Sequence, residues 1–345
     1  MAADPIDWSL AVRTARKVAR APKIDSTYHA RSLDASFASV AVEAHEAVAD
    51  LTGLNPPHLP EVRVVDRAAW AEANVAVARR MLSPVLERLG SRMSGPVQVA
   101  GRTFAGLELG TVLGVLSKHV LGQYDITAGA GAEPDLVMFV RPNLLETEKR
   151  YGFRPEEFRR WIAFHELTHH AQFRAIPWLA GHFQGCIDEM ATLLDPDPRR
   201  LILAVTRVLE GIVTRKSPIA EGGVPGLFAT SAQRDLLARI QTLMSAIEGH
   251  ATWVMNELGE HRTNTSQHMA ATLSQRRQSP TLLSRVMGLD AKAKQYDRGE
   301  AFFREIACAG GKGLTREVWS SAAMLPTASE LDSPAQWLSR VHSAA

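Results

Sequence analysis

The sequence predicts a mainly α-helical fold of the α+β class, in which a small sheet accompanies many helices. Residues that favour helices (Ala, Leu, Arg and Glu) dominate the 345-residue chain, and 46% of it is hydrophobic, enough for a sizeable core. Long segments repeat apolar residues at spacings of three and four, as one face of a helix requires. One short segment between two prolines has the composition of a strand. The sequence contains no internal repeat, so a solenoid is not expected.

Three helices are predicted in the N-terminal part. The first, Trp8–Ala19, is short and amphipathic, with Arg and Lys on its outer face. A solvated face is the commoner reason for such a pattern, and docking to a membrane surface is the alternative. The second covers Ser36–Leu51 and ends before Gly53, and the third covers Asp66–Leu89 and ends at Gly90.

The most apolar stretch of the chain is Gly106–Gly122. It contains three residues that disfavour a membrane span: Glu108, Lys118 and His119. We therefore expect a core helix here and no transmembrane segment. The best strand is Asp135–Val140, which reads DLVMFV and is flanked by prolines.

A second helical half is expected from Pro155 to about Leu258. This order of elements predicts a helical N-terminal part over residues 1–105 and a core over residues 106–345. The boundary would lie near Gly101–Gly106, although the two parts can also form one continuous domain.

Charge and cysteine content exclude several classes of protein. The 39 basic and 37 acidic residues give a net charge of +2, so electrostatics offers no reason to expect a nucleic-acid partner. The two cysteines, Cys186 and Cys308, lie far apart, which argues against a disulfide framework and fits a reducing compartment. The first residues lack the apolar run of a secretory signal. We expect a cytoplasmic protein, and the oligomeric state stays open.

The segment Arg154–Phe173, which reads RPEEFRRWIAFHELTHHAQF, contains the clearest chemical motif. Pro155 suits the first turn of a helix, the two glutamates that follow suit its positive end, and the helix must stop before Pro177. Within this helix, residues 165–169 form the pattern HExxH. The pattern also arises by chance, and the alternative interpretation is a helix with surface histidines.

On a helix, His165 and His169 lie one above the other on the same face. Two imidazoles placed in this way can bind one Zn²⁺ at about 2.0–2.1 Å each. Glu166 follows the first histidine and can act as general base toward a water whose pKa the metal lowers toward about 7. The apolar surroundings of the motif, and the strand predicted before it, favour this interpretation.

A catalytic zinc site needs a third protein ligand, and two acids are candidates. Glu189 follows His169 by twenty residues, and Glu248 lies in a long helix at the margin of an apolar arc. An acid in that position is costly unless it is paired or binds a metal. A structural ion pair remains the alternative for Glu248, and a solvated helix surface is the alternative for Glu189.

A zinc hydrolase also needs a donor for the developing oxyanion, and Tyr296 and His250 are candidates. A straight helix cannot offer both Glu248 and His250 to one ion, so His250 is either this donor or a histidine of the core. Tyr296 can equally be a buried hydroxyl bonded to a carboxylate. Arg276–Arg277 can bind a substrate carboxylate, although a solvated basic pair is commoner.

Short motifs follow one another along nearly the whole chain. They are Asp7-Trp8, Asp66-Arg67, Trp70, Asn74, Leu121–Asp125, Arg141–Asn143, Trp161, His165–His169, Gln172-Phe173, Pro177–Leu179, Glu248–His250, Val254-Met255, Gly288–Asp290, Lys294–Tyr296, Gly299, Phe302, Trp319 and Leu325-Pro326. In this order they resemble a family of actinobacterial zincin-like metallopeptidases associated with biosynthesis of the deazaflavin (F-420) coenzyme.

The resemblance implies a zincin-like metallopeptidase fold, with an edge sheet beside the HExxH helix. It implies that His165 and His169 are ligands of one Zn²⁺ per chain and that Glu166 is the base, and it favours Glu248 over Glu189. We therefore expect a zinc-dependent hydrolase that cleaves a peptide or amide bond. The alternative is a zincin-fold protein that retains zinc and acts as a binding or scaffold module.

Overall fold

A computed structural model of the chain describes residues 4–20, 33–90, 96–127, 135–193, 230–277 and 289–344. Helices make up most of these residues, and one three-stranded sheet accompanies them. The predicted fold class, mainly α with a small sheet, is therefore confirmed. The chain divides into two compact units, of which the first is Met1–Pro177 with Val254–Met269 and the second is Trp178–Trp253 with Ala270–Ala345.

The first unit contains the sheet and the HExxH segment. Its elements are helices α1 (Trp8–Val18) and α2 (Leu33–Thr52), strand β1 (Glu61–Val65), helices α3 (Arg67–Gly90) and α4 (Pro96–Leu116), strands β2 (Gly122–Tyr124) and β3 (Leu136–Val140), and helices α5 (Arg141–Tyr151) and α6 (Pro155–Ala175). The three predicted N-terminal helices correspond to α1, α2 and α3, and the predicted strand corresponds to β3. The predicted boundary at Gly101–Gly106 lies inside the continuous helix α4.

The secondary-structure elements described in the second unit are all helices. The elements from residue 178 onward are α7 (Leu179–Leu193), α8 (Ser231–Arg262), α9 (Ser266–Arg277), α10 (Leu289–Glu317), a 3-10 turn (Ala322–Met324), α11 (Ala328–Asp332) and α12 (Pro334–Ala344). Helix α8 passes from the second unit into the first at Val254, and α9 returns to the second at Ala270. Helix α10 is kinked at Gly310 and Gly311, where the φ of 69° at Gly311 favours glycine.

The sheet has the order β1-β3-β2. Strands β1 and β3 are parallel, with Glu61 opposite Leu136, and β2 and β3 are antiparallel, with Tyr124 opposite Val137. The central strand β3 supplies the core with four side chains that are at most 2% exposed: Val137, Met138, Phe139 and Val140. Strand β2 is therefore an edge strand, and its outer edge faces helix α6.

Helix α4 differs from the predicted core helix. It ends at Leu116, and only 17% of its apolar stretch Val99–Leu116 is buried, although this stretch is long and apolar enough to cross a membrane. Length and composition alone assign no location. The expectation of burial is wrong because α4 packs on α1 through a narrow stripe of glycines at which any side chain would overlap α1: Gly106, Gly110 and Gly114. Residues such as Phe104, which is 66% exposed, face away from this stripe.

Helix α6 is the element that positions the motif. It starts at Pro155 and ends at Ala175, before Pro177, as predicted. It packs on α2 and on strands β2 and β3, and its Trp161 and Phe164 are at most 2% exposed. Burial on several sides holds the helix in place, so side chains that project from it have a defined direction.

Candidate metal centre and active site

The two histidines of the motif converge. His165 and His169 are both half-buried, and their Nε2 atoms lie 3.2 Å apart. Two nitrogens that each bind a tetrahedral zinc at 2.0–2.1 Å would lie about 3.3–3.4 Å apart, so this pair fits a zinc ion. The Nδ1 atom of His169 lies 2.9 Å from Gln172 Oε1. This contact turns the opposite ring nitrogen toward His165, as the outer partner of a metal-binding histidine does.

Glu166 is held against the edge strand. Its side chain is buried, and its Oε2 accepts a hydrogen bond of 3.0 Å from the backbone N–H of Tyr124. A Cβ atom at Gly122 would lie 2.7 Å from the Cγ of Glu166, so only glycine fits at that position. The carboxylate of Glu166 is therefore held in one orientation against strand β2, as a general base needs to be.

Sequence reasoning did not assign a role to Gly122 or to the backbone of Tyr124. Both lie in the Leu121–Asp125 segment, which is one of the motifs behind the family resemblance. That motif was the available indication, but it did not reveal which atoms contact Glu166.

A second group of polar residues surrounds Asp135, which is 2% exposed and immediately precedes β3. Its Oδ1 accepts hydrogen bonds from Arg174 at 2.5 Å and from the Tyr124 hydroxyl at 3.0 Å. Its Oδ2 lies 2.9 Å from His58 Nε2 and 3.5 Å from His170 Nε2. Sequence reasoning did not find this group.

Burial and charge shift the pKa values of this group in different directions. Burial alone would raise the pKa of Asp135, but the Arg174 guanidinium and the hydrogen bonds from its neighbours bring it below its usual value. Burial lowers the pKa of His170 to about 4, so this ring is neutral at pH 7. Burial raises the pKa of the Tyr124 hydroxyl, which stays protonated and donates to Asp135.

The two candidate third ligands have different surroundings within the second unit. Glu189 on α7 forms an ion pair of 2.5 Å with Arg239 of α8, and both side chains are solvent-exposed. Glu248 on α8 is half-buried. The next residue, Gly249, contacts the backbone of Gly299 on α10, where a Cβ would overlap it.

His250 is buried, and its ring packs among three aromatic residues at centroid distances of 4.8–5.8 Å: Phe303, Trp319 and Trp253. These contacts are those of a core histidine, and a role as oxyanion donor stays a prediction. Tyr296 lies on α10 and Arg276–Arg277 on α9, but their side chains fall outside the described part of the structure.

Comparisons with known proteins identify a family for the chain and a similar solved structure. A family model described as zincin-like metallopeptidase matches residues 6–338. The family implies zinc binding. A solved structure from Chloroflexus aurantiacus, described as "a putative hydrolase with a novel fold", is similar over 98% of this chain and 99% of its own, with a TM-score of 0.71 and 28% identity. No curated protein sequence matches the chain significantly.

Proposed function

We propose that this chain, which belongs to the family of zincin-like metallopeptidases, is a zinc-dependent hydrolase that cleaves a peptide or amide bond. One observation carries the proposal: His165 and His169 bring their Nε2 atoms to 3.2 Å from each other, and the buried Glu166 of the same motif is held against strand β2. The hydrolase description of the similar solved structure supports the reaction class.

The chain's own residues divide the work of hydrolysis. His165 and His169 would hold zinc which, when bound, lowers the pKa of a water toward about 7 and polarises the substrate carbonyl. Glu166 takes the proton from the attacking water and passes it to the leaving nitrogen. The Tyr124 N–H keeps the carboxylate oriented through Oε2 during both transfers. Tyr296 and His250 are proposed as donors to the developing oxyanion.

We propose Glu248 as the third ligand, on the basis of the helix that carries it. The C-terminal part of α8 and the turn that follows run antiparallel to α6 within the first unit. Thr265 bonds to Glu157 at 2.6 Å, and Gly259 faces Trp161, one turn further along α6. Eleven residues make about three turns, so Glu248 lies within about 20° of the face of α8 that carries Gly259.

The same helix arithmetic supports the choice of partner. His165 and His169 follow Trp161 by one and two turns on the same face of α6. Because α8 is one continuous helix, Glu248 lies on the side of that helix that contacts α6 further along the chain, which supports Glu248 as the proposed third ligand. Glu189, by contrast, forms an exposed ion pair with Arg239.

Zinc content distinguishes the two acids. We expect Glu248→Gln to weaken zinc binding strongly, whereas the matched control Glu189→Gln retains zinc at the wild-type level. Equal zinc content in both variants would contradict the proposal that Glu248 is a ligand, while His165 and His169 would remain proposed ligands.

The Glu166→Gln variant tests the enzyme function itself. Glutamine has nearly the same shape, so it should leave zinc content and fold unchanged while turnover of a peptide library falls by at least 100-fold. Turnover that survives this change contradicts the proposed mechanism. A wild type that binds zinc but cleaves no peptide or amide in such a library would favour the scaffold alternative.

The proposed substrate is a peptide or a small amide, and nucleic acid is not a proposed partner. We propose a cytoplasmic location because Cys186 and Cys308 are both free thiols. Burial raises the pKa of Cys186, which keeps it protonated and unreactive. The association with deazaflavin metabolism stays an expectation from the sequence resemblance, and the proposal does not depend on it.

A further inference from the structure

Three metal-binding side chains meet at a place separate from the HExxH pair. The ligand atoms of His58, Asp135 and His170 all lie within 4.8 Å of one another. From this arrangement we infer a second site for a divalent transition-metal ion of the zinc type. All three residues belong to the first unit, and the inference does not depend on the proposed function.

The second site is distinct from the first although His170 directly follows His169. Neighbouring residues of a helix project about 100° apart, so the two rings leave α6 on different sides. His169 turns toward His165, whereas His170 turns toward Asp135 at the start of β3. His58 comes from the loop between α2 and β1.

Small shifts of these side chains would bring the ligand atoms to the distances that a metal ion requires. Asp135 Oδ2 lies 2.9 Å from His58 Nε2 and 3.5 Å from His170 Nε2, and ligands of a tetrahedral zinc lie about 3.3 Å apart. Two imidazoles and one carboxylate are the ligand set of many open zinc sites. Imidazole nitrogen also binds other divalent transition metals, which defines the class of ion.

The buried ring of His170 is an independent observation that points to a ligand. It is 0% exposed, and neither of its ring nitrogens forms a hydrogen bond with any residue in the described ranges. A buried polar atom without a hydrogen bond is destabilising, because the hydration that it loses on folding is not replaced. A metal ion bound to Nε2 would remove this destabilising effect at one nitrogen.

The remaining partners of Asp135 orient the carboxylate for this role. Arg174 and the Tyr124 hydroxyl both bond to Oδ1, so Oδ2 is the oxygen that faces the two imidazoles. Outer partners of this kind position metal ligands in known sites. The positive charge of Arg174 also repels a cation, so this site should bind metal more weakly than the HExxH pair. His58, whose side chain is 57% exposed, gives access from solvent.

Metal titration of the full chain, stripped of metal, tests the inference. We expect Zn²⁺, measured by calorimetry, and Co²⁺, measured by its visible absorption, to bind in two equivalents, the second at least tenfold more weakly. His58→Ala should remove only the weaker equivalent, and His165→Ala only the tighter one. The matched control His119→Ala, at another exposed histidine, should retain both.

The outcomes separate this inference from the proposed function. The second site would be overturned if His58→Ala still binds two equivalents of metal. It would also be overturned if the wild type binds one equivalent that is lost in His165→Ala and retained in His58→Ala. A single equivalent that depends on His58 and not on His165 would support the second site and contradict the proposed function. Asp135→Asn would disturb a buried network of hydrogen bonds, so the substitution of the exposed His58 is the better test. Circular dichroism checks that the His58→Ala variant is folded.

Discussion

A methyl group added at Gly122 should disable the enzyme without removing its metal. The Cβ of Gly122→Ala would lie 2.7 Å from Glu166 Cγ and 2.9 Å from Oε1, whereas ordinary contacts begin at 3.4 Å. Strand β2 cannot easily retreat, because backbone bonds of 2.9 Å at Asp125 and Val140 flank it on the side of β3. Glu166 must therefore give way.

The size of the effect follows from these distances. Moving Cγ from 2.7 Å to 3.4 Å displaces the carboxylate by about 0.7 Å and stretches its bond to the Tyr124 N–H. A misplacement of about 1 Å near reacting atoms costs roughly 100-fold in rate. We expect kcat/KM to fall by roughly 10- to 100-fold, together with a loss of stability of about 1–3 kcal/mol from overpacking.

The assay compares turnover of an internally quenched peptide library with zinc content in the same preparations. Gly181→Ala is the matched control, since its Cβ meets nothing within 4 Å. This control should keep full activity, and both variants should keep their zinc. Wild-type activity in a folded Gly122→Ala variant would refute the position assigned to Glu166.

Three further changes test other parts of the structure. Gln172→Leu removes the partner of His169 Nδ1 and should weaken zinc binding by about 10- to 100-fold in a chelator competition. The control variant Glu189→Gln should bind zinc with wild-type affinity. In the wild type, Arg159 donates hydrogen bonds of 2.8 and 3.0 Å to the buried Glu148. Arg159→Met leaves that carboxylate without its partner, so the free energy of unfolding, measured with urea, should fall by about 3–5 kcal/mol. If adding Glu148→Leu does not restore part of that loss, the buried charge is not the cause. Glu330→Gln should cost about 1–3 kcal/mol at pH 7, because it replaces the charged contact of Arg340 with both carboxylate oxygens by a neutral contact with one amide oxygen. Burial alone would raise the pKa of Glu330, but the bonds from Arg340 and Thr327 lower it overall. The stability difference between wild type and Glu330→Gln should therefore be complete above about pH 4.3, the ordinary pKa of Glu, and should vanish as the pH falls through the lowered pKa of the folded protein. A stability difference that persists at low pH would contradict this cause.

The parts of the site that the sequence predicts are those set by one helix. The spacing of His165 and His169 becomes a distance of 3.2 Å because helix geometry alone stacks residues four apart. The limits of α6 follow in the same way from Pro155 and Pro177. Local periodicity also gives α1, α2 and α3, whose apolar residues repeat on one face.

The parts that the sequence does not predict depend on contacts between distant segments. Strand β2 has three residues and forms only by pairing with β3, so it lacks a pattern of its own. The group around Asp135 joins distant segments, and His58, for example, precedes Asp135 by 77 positions. The prediction that α4 is a buried core helix was wrong because it rested on hydropathy alone. The helix contacts α1 through glycines, and this contact leaves Phe104 exposed.

Anomalous diffraction at the zinc edge, from crystals of the zinc-loaded protein, would locate the metal in the fold. We expect a zinc peak bonded to both His165 Nε2 and His169 Nε2 at about 2.0–2.1 Å. Crystals that show zinc elsewhere, and no peak between these two nitrogens, would contradict this expectation.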